Sequence, residues 1–562
     1  MDNIRICALG GLDESGRDCY LVEINDNIFV LDYGASLPDK TLPGIDFLIP
    51  NSDYLVKNKN RVKAYIMTHG HDENMAGLKY IYNQAPAPIY CTKTTQGILE
   101  WESKIYRIKP HFMYAIVEPT SSVVISGVTF HFFQTMHNIA ESMGVVIDTD
   151  RGSIVYSSDF IVDYTVNQPG YIFDIDSLIR SGKKDNTLLL MCESKAANKP
   201  GYCAPKHRLT SLVENYFNDN KRIFLCCFWE NFYRLQEIAN LCHNHKKKIY
   251  LYDDYARDLF EEIVKLPYCP FLKNDFVSPE DLLRVRKQDV LVLMLGYGEE
   301  LYEKISDLAK QKNSDRRIVL QEDDIFICAA LPMLSLETIA THAVDDLYRT
   351  GCEVKWVKSK DIVSMHARED DIRALLTLLK PKYYFPVRGN YVNLMANARL
   401  AISTGVGLNP MNVFVLDNGM SIAFDEGSPR PRILTNEVNG INVAPLLVDG
   451  RGITSVEEDT MEERKKLSED GVVVVAATIS LKEKKIVSGP DTQMRGFVYV
   501  KEAEPLLKSI ANIYVDEINT AFSMDETNFE KVKVAIADRA KRFIKRENGR
   551  DPLILPIIIM VD

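Results

Sequence analysis

The chain has 562 residues, a formal net charge of −11 and 46% hydrophobic residues. This length exceeds what one hydrophobic core supports, so three or four domains are expected. The net negative charge excludes a globally basic nucleic-acid binder, although a local basic channel or metal ions can still meet phosphates. No apolar run approaches the roughly 20 residues that span a bilayer, which predicts that the chain has no membrane partner. No secretion signal is visible at the N-terminus either.

The first 196 residues alternate strands with Gly-rich turns and contain few helical patterns. Residues 197–368 change to alternating helices and strands, which is typical of a parallel βα domain. Within this segment, Ser278-Pro279-Glu280 predicts the start of a helix, because a capping hydroxyl precedes a first-turn proline and an acid. The pattern of the first segment resumes at 369–435, as if residues 197–368 were an insertion.

A linker is predicted at 436–450, next to a Pro- and Asn-rich stretch, and residues 451–562 are expected to form a separate unit. This unit contains strand patterns in GVVVVAATIS and GFVYVKEA, followed by two long helical patterns. The closing run LILPIIIMV is continuously apolar, which predicts a central strand of a small sheet.

Eleven cysteines are scattered along the chain, and Cys226 and Cys227 are adjacent within an apolar run. No C-x-x-C pair marks a structural zinc site. The cysteines are therefore expected to be buried, reduced thiols, and the protein is expected to be cytoplasmic.

The loop T-H-G-H-D-E-N at 68–74 follows an apolar run and carries the clearest chemical signal. A hydrolytic zinc loop of the form H-x-H-x-D-H supplies imidazoles and a carboxylate to one or two ions. His69 and His71 match this pattern, whereas Glu73 is one methylene longer than the usual acid. Asn74 replaces the last histidine with a neutral amide, which is a poor zinc ligand. The loop predicts a two-metal hydrolase site that is half dismantled.

Two further ligand candidates, His137 and Asp159, each follow a strand pattern. A histidine beside a bridging aspartate is common in binuclear hydrolases. Taken singly, each residue is more often a packed or turn-forming side chain. Together with His69 and His71, in this order at strand ends, they favour a metallo-β-lactamase-type fold.

Several segments along the chain match the pattern of one known family: ALGGLDESGRDCYLVE, GIDFLIPNSDYLVKN, THGHDENMAG, TMHNIAES, LLKPKYYFPVRGNY, VDGRGI, VSGPDTQMRGFVYV and DPLILPIIIM. On these segments the chain resembles the ribonuclease J family over essentially its whole length. The resemblance implies an α/β fold, in which a metallo-β-lactamase αββα sandwich carries an inserted β-CASP parallel α/β domain and a small α+β C-terminal association domain. The departures from the family pattern resemble those of a type-two, degenerate paralogue that accompanies an active type-one enzyme.

The resemblance also implies a set of metal-ligand positions. Of the two ions, one would keep three histidines and the bridging acid as ligands. At most one zinc ion is therefore expected to be well held, and the alternative is that no metal is bound. The positions at which this chain retains a candidate ligand are His69, His71, Glu73, His137 and Asp159.

Two ligand positions are substituted: Asn74 and Arg388 each stand where the family has a histidine. A fixed guanidinium repels a second divalent ion. Arg388 either clamps a substrate phosphate or carboxylate, or forms a salt bridge with Glu73, and the sequence leaves both alternatives open.

By the same resemblance, Ser364 and His366 lie in the motif that holds the 5′-phosphate and the scissile phosphate, and Asn231 lies in a phosphate-binding segment. The substituted residues around them are unfavourable for RNA binding: Met365 replaces a glycine, and Glu230 brings negative charge beside Asn231. Ile362 replaces the first histidine of the motif, and Glu193 occupies an acidic β-CASP position.

The implied function is that of a 5′-to-3′ exoribonuclease and endoribonuclease with weakened catalysis, acting in rRNA maturation and mRNA decay. Glu73 or Asp159 would orient the attacking water, and His366 would stabilise the departing oxygen. The implied partners are RNA and a type-one paralogue, with a homodimer and an RNA degradosome as further assemblies. The alternative is a non-catalytic scaffold without metal.

Overall fold

The computed structural model describes residues 1–38, 42–180, 186–332, 336–450, 452–454, 458–496 and 503–561. The chain divides into two compact units, one formed by Met1–Ser36 and Leu48–Leu446, the other by Leu37–Phe47 and Leu447–Asp562. Among the described residues, no helix has both the length and the apolar character needed to cross a bilayer.

The core of the first unit lies between two large sheets. Alternate residues of the first strand, including Ile4 and Ile6, point into this core, as the two-residue side-chain period of a strand requires. Aromatic rings from the two sheets pack edge to face in this core: the ring centroids of Phe29 and Phe130 are 4.9 Å apart.

Within the described chain, one of these sheets has eight strands and the other has six. In sheet order, the eight are Arg432–Leu434, Ser421–Phe424, Ile4–Gly10, Cys19–Ile24, Asn27–Leu31, Val62–Ile66, Ile89–Cys91 and Tyr114–Ile116. In the same way, the six are Tyr383–Val387, Thr187–Glu193, Gly152–Tyr156, Met143–Thr149, Val128–Gln134 and Ser122–Ile125.

Helices accompany these sheets and complete the predicted metallo-β-lactamase-type sandwich. The helix Lys93–Ile105 begins where the Thr92 side chain accepts a hydrogen bond from the Thr95 backbone N–H. The helices of this part are Asp53–Lys57, Asp72–Met75, Leu78–Ile81, Lys93–Ile105, Ile175–Arg180, Glu369–Leu379 and Tyr391–Ser403.

A separate parallel sheet is built from the segment between the two parts of the sandwich. The strand Thr187–Glu193 precedes this segment, and Tyr383–Val387 follows it and pairs with Thr187–Glu193 in parallel. The intervening residues therefore form an insertion, which confirms the predicted fold class. The interior strand Val290–Gly296 is buried along its whole length, as expected where helices cover both faces.

In sheet order, the strands of the insertion are Lys248–Leu251, Val290–Gly296, Ile223–Phe228, Ile325–Cys328 and Glu353–Trp356. Its helices are Thr210–Phe217, Phe232–Asn244, Asp254–Ile263, Gly298–Ala309 and Glu337–Tyr348.

The predicted helix at Ser278 is wrong. The Ser278 hydroxyl does accept a hydrogen bond from the Asp281 N–H at 3.2 Å, which is the capping contact that the sequence indicated. The chain then makes two short 3₁₀ turns, Leu282–Arg284 and Lys287–Asp289, before it enters the strand at Val290. The capping hydrogen bond is therefore present, but the residues that follow it do not form an α-helix.

The predicted linker at 436–450 contains the short helix Asn436–Asn439 and the strand Leu446–Asp449, which pairs with Gly452–Thr454. A short strand, Phe47–Ile49, occurs near the N-terminus. The boundaries at 196, 368, 435 and 450 remain predictions.

The second unit has its own core, where one face of a sheet packs against two long helices. Both predicted helices are present, as Ala503–Ser523 and Phe529–Asn548, and a further helix spans Glu458–Glu469. The strands are Lys485–Arg495, Val472–Ser480 and Leu553–Val561, in that sheet order. The strand predicted in GFVYVKEA falls mainly on residues 497–502, outside the described residues.

The prediction of a central position for the last strand is wrong. Leu553–Val561 pairs in parallel with Val472–Ser480 and lies at the edge of the sheet among the described strands. Ile554 and Ile558 face the core, whereas Ile557 and Ile559 on the opposite face are 44% and 52% exposed. A continuous apolar run does not distinguish a strand buried on both faces from one whose second face is open, so the sequence alone left this position undetermined.

Candidate metal centre and active-site cavity

The candidate ligands converge because each follows a strand whose end meets the same rim of the sandwich. His69 and His71 follow Val62–Ile66, His137 follows Val128–Gln134, and Asp159 follows Gly152–Tyr156. Their donor atoms all lie within 4.8 Å of one another, and the four residues are buried. A second group joins Asp159 to Glu193 and His366.

The three imidazoles point their nitrogen atoms at one small volume. Nδ1 of His71 is 3.0 Å from Nε2 of His69 and 3.1 Å from Nε2 of His137. The Asp159 carboxylate completes the group, because its Oδ2 lies 3.5 Å from His69 Nε2 and 3.3 Å from His137 Nε2. Three imidazole nitrogens and one carboxylate oxygen match a tetrahedral zinc site.

Surrounding contacts hold the rings in the orientation that such a site needs. His137 donates its Nδ1–H to the Met365 carbonyl at 2.7 Å, which leaves the Nε2 lone pair facing the cluster. Burial lowers the pKa of His71 and of His137 well below the usual range. Both rings are therefore neutral at neutral pH, which is the form that binds a metal.

Asp159 supplies the structural test of whether this cluster fits a metal. Neither carboxylate oxygen accepts a hydrogen bond of acceptable geometry from the described residues, although the side chain is fully buried. The Arg388 Nε atom is 2.7 Å from Oδ1, but the alignment is too poor for a hydrogen bond. Buried carboxylates are normally satisfied, so these open acceptors and the three neighbouring imidazoles fit one bound cation.

Arg388 fills the space beside this cluster. Its guanidinium is 3% exposed and lies against three carboxylates, since it also pairs with Asp18 and with Glu73, the latter at 2.5 Å. It donates to the Asn74 amide oxygen at 3.0 Å as well. Burial lowers the pKa of Arg388 to about 9, which still leaves the group charged at neutral pH. The salt-bridge alternative for Arg388 is therefore the arrangement that the structure contains.

Glu73 is drawn away from the metal cluster by two cations. Besides the Arg388 contact, its carboxylate accepts from Lys195 Nζ at 3.0 and 3.1 Å. Burial acts to raise the pKa of Glu73, but the charge and hydrogen bond of Lys195, together with His366 and His69, more than offset it, and the pKa is lowered overall. Glu73 belongs to neither potential ligand group among the described residues.

Asn74 is likewise committed to protein contacts. Its amide nitrogen donates to Asp32 at 3.0 Å, while its oxygen accepts from Arg388. Asp32 also accepts from the Thr68 backbone and from the Tyr156 hydroxyl. This buried network ties the loop that carries the histidines to the opposite sheet.

A cavity of about 220 Å³ opens beside the cluster. Glu193 bonds the His366 Nδ1 atom at 2.9 Å and thereby fixes the ring at the cavity wall. The lining residues that matter for binding are His71, Asp72, Glu73, Lys195, Glu230, Asn231 and His366.

The predicted substrate-binding residues are divided between this cavity and a smaller one. Asn231 lines both, whereas Ser364 lines only the second, which has a volume of about 150 Å³ and also meets Met365. The Asn231 side-chain oxygen is already used, because it caps the helix Phe232–Asn244 through the Arg234 N–H. Arg388 lines neither cavity.

Two acids of the cavity wall, Glu230 and Asp72, carry less charge than the sequence indicates. Burial raises the pKa of Glu230 well above its usual value, and the nearby Asp72 and Glu73 raise it further. Burial, followed by Glu102, has the same effect on Asp72. Glu230 is thus favoured in its neutral form, which reduces the electrostatic repulsion of phosphate that its sequence position implied.

The sequence interpretation missed Asp18, Asp32 and Lys195. Asp18 lies in the segment GRDCYLVE, which carried the family resemblance without indicating a contact to Arg388, 370 residues away. Lys195 follows the strand that ends at Glu193, and that position was the available signal for a lysine near the cavity.

Family models and curated relatives of known name match this chain. The model of the ribonuclease J β-CASP domain matches residues 220–347, and that of the ribonuclease J C-terminal domain matches residues 459–561. Ribonuclease J2 of Bacillus subtilis is 30% identical over 563 residues, covering 100% of this chain and 99% of the relative. Ribonuclease J 2 of a Staphylococcus epidermidis strain is 29% identical over 557 residues, covering 99% and 98%. A solved Enterococcus faecalis protein of unknown function has a TM-score of 0.49 at 13% identity, covering 75% of this chain and all of that one.

Replacement of Arg388 tests its structural role. Arg388→Met leaves Asp18, Asp159 and Glu73 facing one another without their shared cation, so the surrounding strands are expected to lose about 3–5 kcal/mol of local stability. Amide hydrogen exchange at Tyr383–Val387 measures this loss. Arg399→Met, at an exposed position of the following helix, is the matched control. Equal protection in the two variants would contradict a structural role for Arg388.

Proposed function

The chain belongs to the ribonuclease J family, and from that premise we propose that it hydrolyses RNA phosphodiesters slowly, at a centre that holds one metal ion. The observation that carries this proposal is the combination of a complete four-ligand cluster with an arginine beside it. The cluster retains the donors for one ion. Arg388 fills the neighbouring space with a fixed positive charge.

His69, His71, His137 and Asp159 would hold the ion, and we propose zinc because the donor set is imidazole and carboxylate. Bound zinc would supply Lewis acidity to a phosphoryl oxygen. Asp159, whose second oxygen faces Arg388, would orient the attacking water from within the cluster. Burial raises the pKa of the Glu193 carboxyl to about 8, so a protonated Glu193 can donate to Nδ1 of His366, and His366 would then donate its Nε2–H to the departing oxygen.

The proposed weakness of catalysis has two physical causes. The Arg388 guanidinium opposes a second divalent ion electrostatically, and Glu73 is engaged by both Arg388 and Lys195. Loss of one ion removes several kcal/mol of charge stabilisation from the transition state. Because about 1.4 kcal/mol changes a rate tenfold, the cleavage rate is expected to be lower on the order of a thousandfold.

A second candidate function is a scaffold that binds a type-one paralogue and no metal. The exposed apolar face of Leu553–Val561 favours this role, because such an edge strand is normally covered by a partner or another element. We propose that the hetero-oligomer with the type-one enzyme forms through this face and acts in rRNA maturation and mRNA decay in the cytoplasm. A homodimer and recruitment to a degradosome are the alternative assemblies for the same face.

Cleavage of a 5′-monophosphorylated RNA tests the enzymatic proposal. The zinc-loaded chain is expected to release mononucleotides about a thousandfold more slowly than a family member with the full ligand set. His137→Ala, which removes one ligand from the cluster, should abolish the residual rate. A turnover comparable with that of the intact enzyme would refute weakened catalysis, and a rate unaffected by His137→Ala would assign the cleavage to a contaminant.

Metal content tests the one-ion proposal through a restoration series. Equilibrium dialysis should find about one zinc ion per chain, and the triple variant Glu73→Asp, Asn74→His, Arg388→His should approach about two. The double variant Glu73→Asp, Asn74→His retains the guanidinium and should remain near one, so it isolates the effect of Arg388. RNA cleavage by the triple variant should recover only in part, because Ile362 and Met365 remain. A chain that binds no zinc would favour the scaffold.

Charge on the exposed strand face tests the association proposal. Ile557→Glu combined with Ile559→Glu should strongly weaken the complex with a type-one ribonuclease J in sedimentation, because burying two carboxylates at an interface is costly. Val534→Glu adds a carboxylate to an exposed position of the helix Phe529–Asn548 and serves as the control. A complex of undiminished strength in the double variant would place the contact elsewhere.

A further inference from the structure

Lys195 is the cation that faces the cavity. Its side chain is 31% exposed, whereas that of Arg388 is 3% exposed and lies behind the wall. Among the described residues that line the 220 Å³ cavity, Lys195 is the one lysine or arginine. It shares this wall with His71 and His366, which belong to the two potential ligand groups.

The ammonium group retains hydrogen-bonding capacity. A lysine carries three N–H donors, and Lys195 uses at most two of them on the oxygens of Glu73, at 3.0 and 3.1 Å. A ligand oxygen in the cavity can therefore accept from the remaining donor while the ion pair with Glu73 persists.

Lys195 can also turn away from Glu73 without leaving the Glu73 carboxylate unpaired. Its Oε2 atom is simultaneously 2.5 Å from Arg388, so that Glu73 keeps a cationic partner if Lys195 turns towards a ligand. Arg388 has no comparable freedom, because it is held by Asp18 and Asp159 in addition to Glu73. The two cations thus have different tasks: Arg388 neutralises the buried acids, and Lys195 is available to the cavity.

We propose that Lys195 contacts the backbone phosphate of an RNA strand at the reacting linkage. This inference rests on the proposed function and deepens it, because it names the residue that receives the negative charge of the substrate where a second metal ion is missing. A charge-assisted hydrogen bond of this kind forms with either of the non-bridging phosphate oxygens. The sequence interpretation assigned this clamping role to Arg388 as one of two alternatives, and the geometry transfers it to Lys195.

A neutral linkage in the RNA isolates the contact. Binding of a 5′-monophosphorylated RNA to the zinc-loaded chain is compared with binding of the same RNA carrying one methylphosphonate at the first linkage, by fluorescence anisotropy before detectable cleavage. The wild-type chain should bind the all-phosphate RNA roughly tenfold or more tightly, as a charge-assisted hydrogen bond predicts. In Lys195→Ala this preference should fall by about fivefold or more, and the remaining preference is the share that bound zinc contributes.

Two further variants separate the contact from general charge and from folding. Lys199→Ala removes the same charge at an exposed position four residues away and should keep the wild-type preference. Lys195→Arg retains a cation in the cavity and should keep most of it, and all variants are compared by their melting temperatures.

The outcomes distinguish the two proposals. A preference in Lys195→Ala equal to that of the wild-type chain would overturn the role of Lys195 while leaving RNA as the ligand. If the wild-type chain binds RNA without any preference for the charged linkage, the phosphate contact itself is absent and the inference fails. If it binds neither RNA, the proposed function fails together with the inference.

Discussion

The contact between the Arg388 guanidinium and three carboxylates organises the candidate active site. Asp18, Glu73 and Asp159 come from separate parts of the chain, and each meets the same side chain. Without that cation, three buried or half-buried acids would repel one another at the rim of the sandwich. Like charges in a poorly solvated site are costly unless a counter-charge is present, so Arg388 supplies locally the neutralisation that a divalent ion provides in a binuclear site.

In this arrangement one group of candidate metal ligands stays intact, whereas Glu73 is used in ion pairs. The three imidazoles and Asp159 still form a compact donor group, with hydrogen bonds that fix the His137 ring and open acceptors on Asp159. Glu73, by contrast, is held in an ion-pair chain that continues to Lys195. The result is a centre whose charge is balanced largely by the protein itself. Under the proposed function, its reactivity would depend on one ion and on the contacts of Lys195 and His366 with the substrate.

Much of this organisation could be predicted from the sequence, because strand ends and ligand spacing are local signals. His69, His71, His137 and Asp159 were recognised from their positions after apolar runs, and the structure brings them together. Glu73 was expected beside them, and it lies instead between two cations. That outcome depends on Lys195 and Asp18, whose approach is set by the packing of distant strands and leaves no periodic trace in the sequence.

The same limit explains the two errors in secondary structure and sheet position. At Ser278 a real capping hydrogen bond was interpreted as the beginning of a helix, although the 3₁₀ turn Leu282–Arg284 follows. The run at Leu553–Val561 was predicted to be central because it is apolar throughout, whereas its second face is open in the described part of the C-terminal unit.

Anomalous diffraction at the zinc edge, from crystals of the zinc-loaded full-length protein, tests the central claim most directly. The account predicts one anomalous peak, enclosed by His69, His71, His137 and Asp159, with Arg388 still in contact with Asp18 and Glu73. A second peak between Asp18, Glu73 and Asp159, with the guanidinium displaced, would contradict the claim that this arginine stands in place of a metal ion.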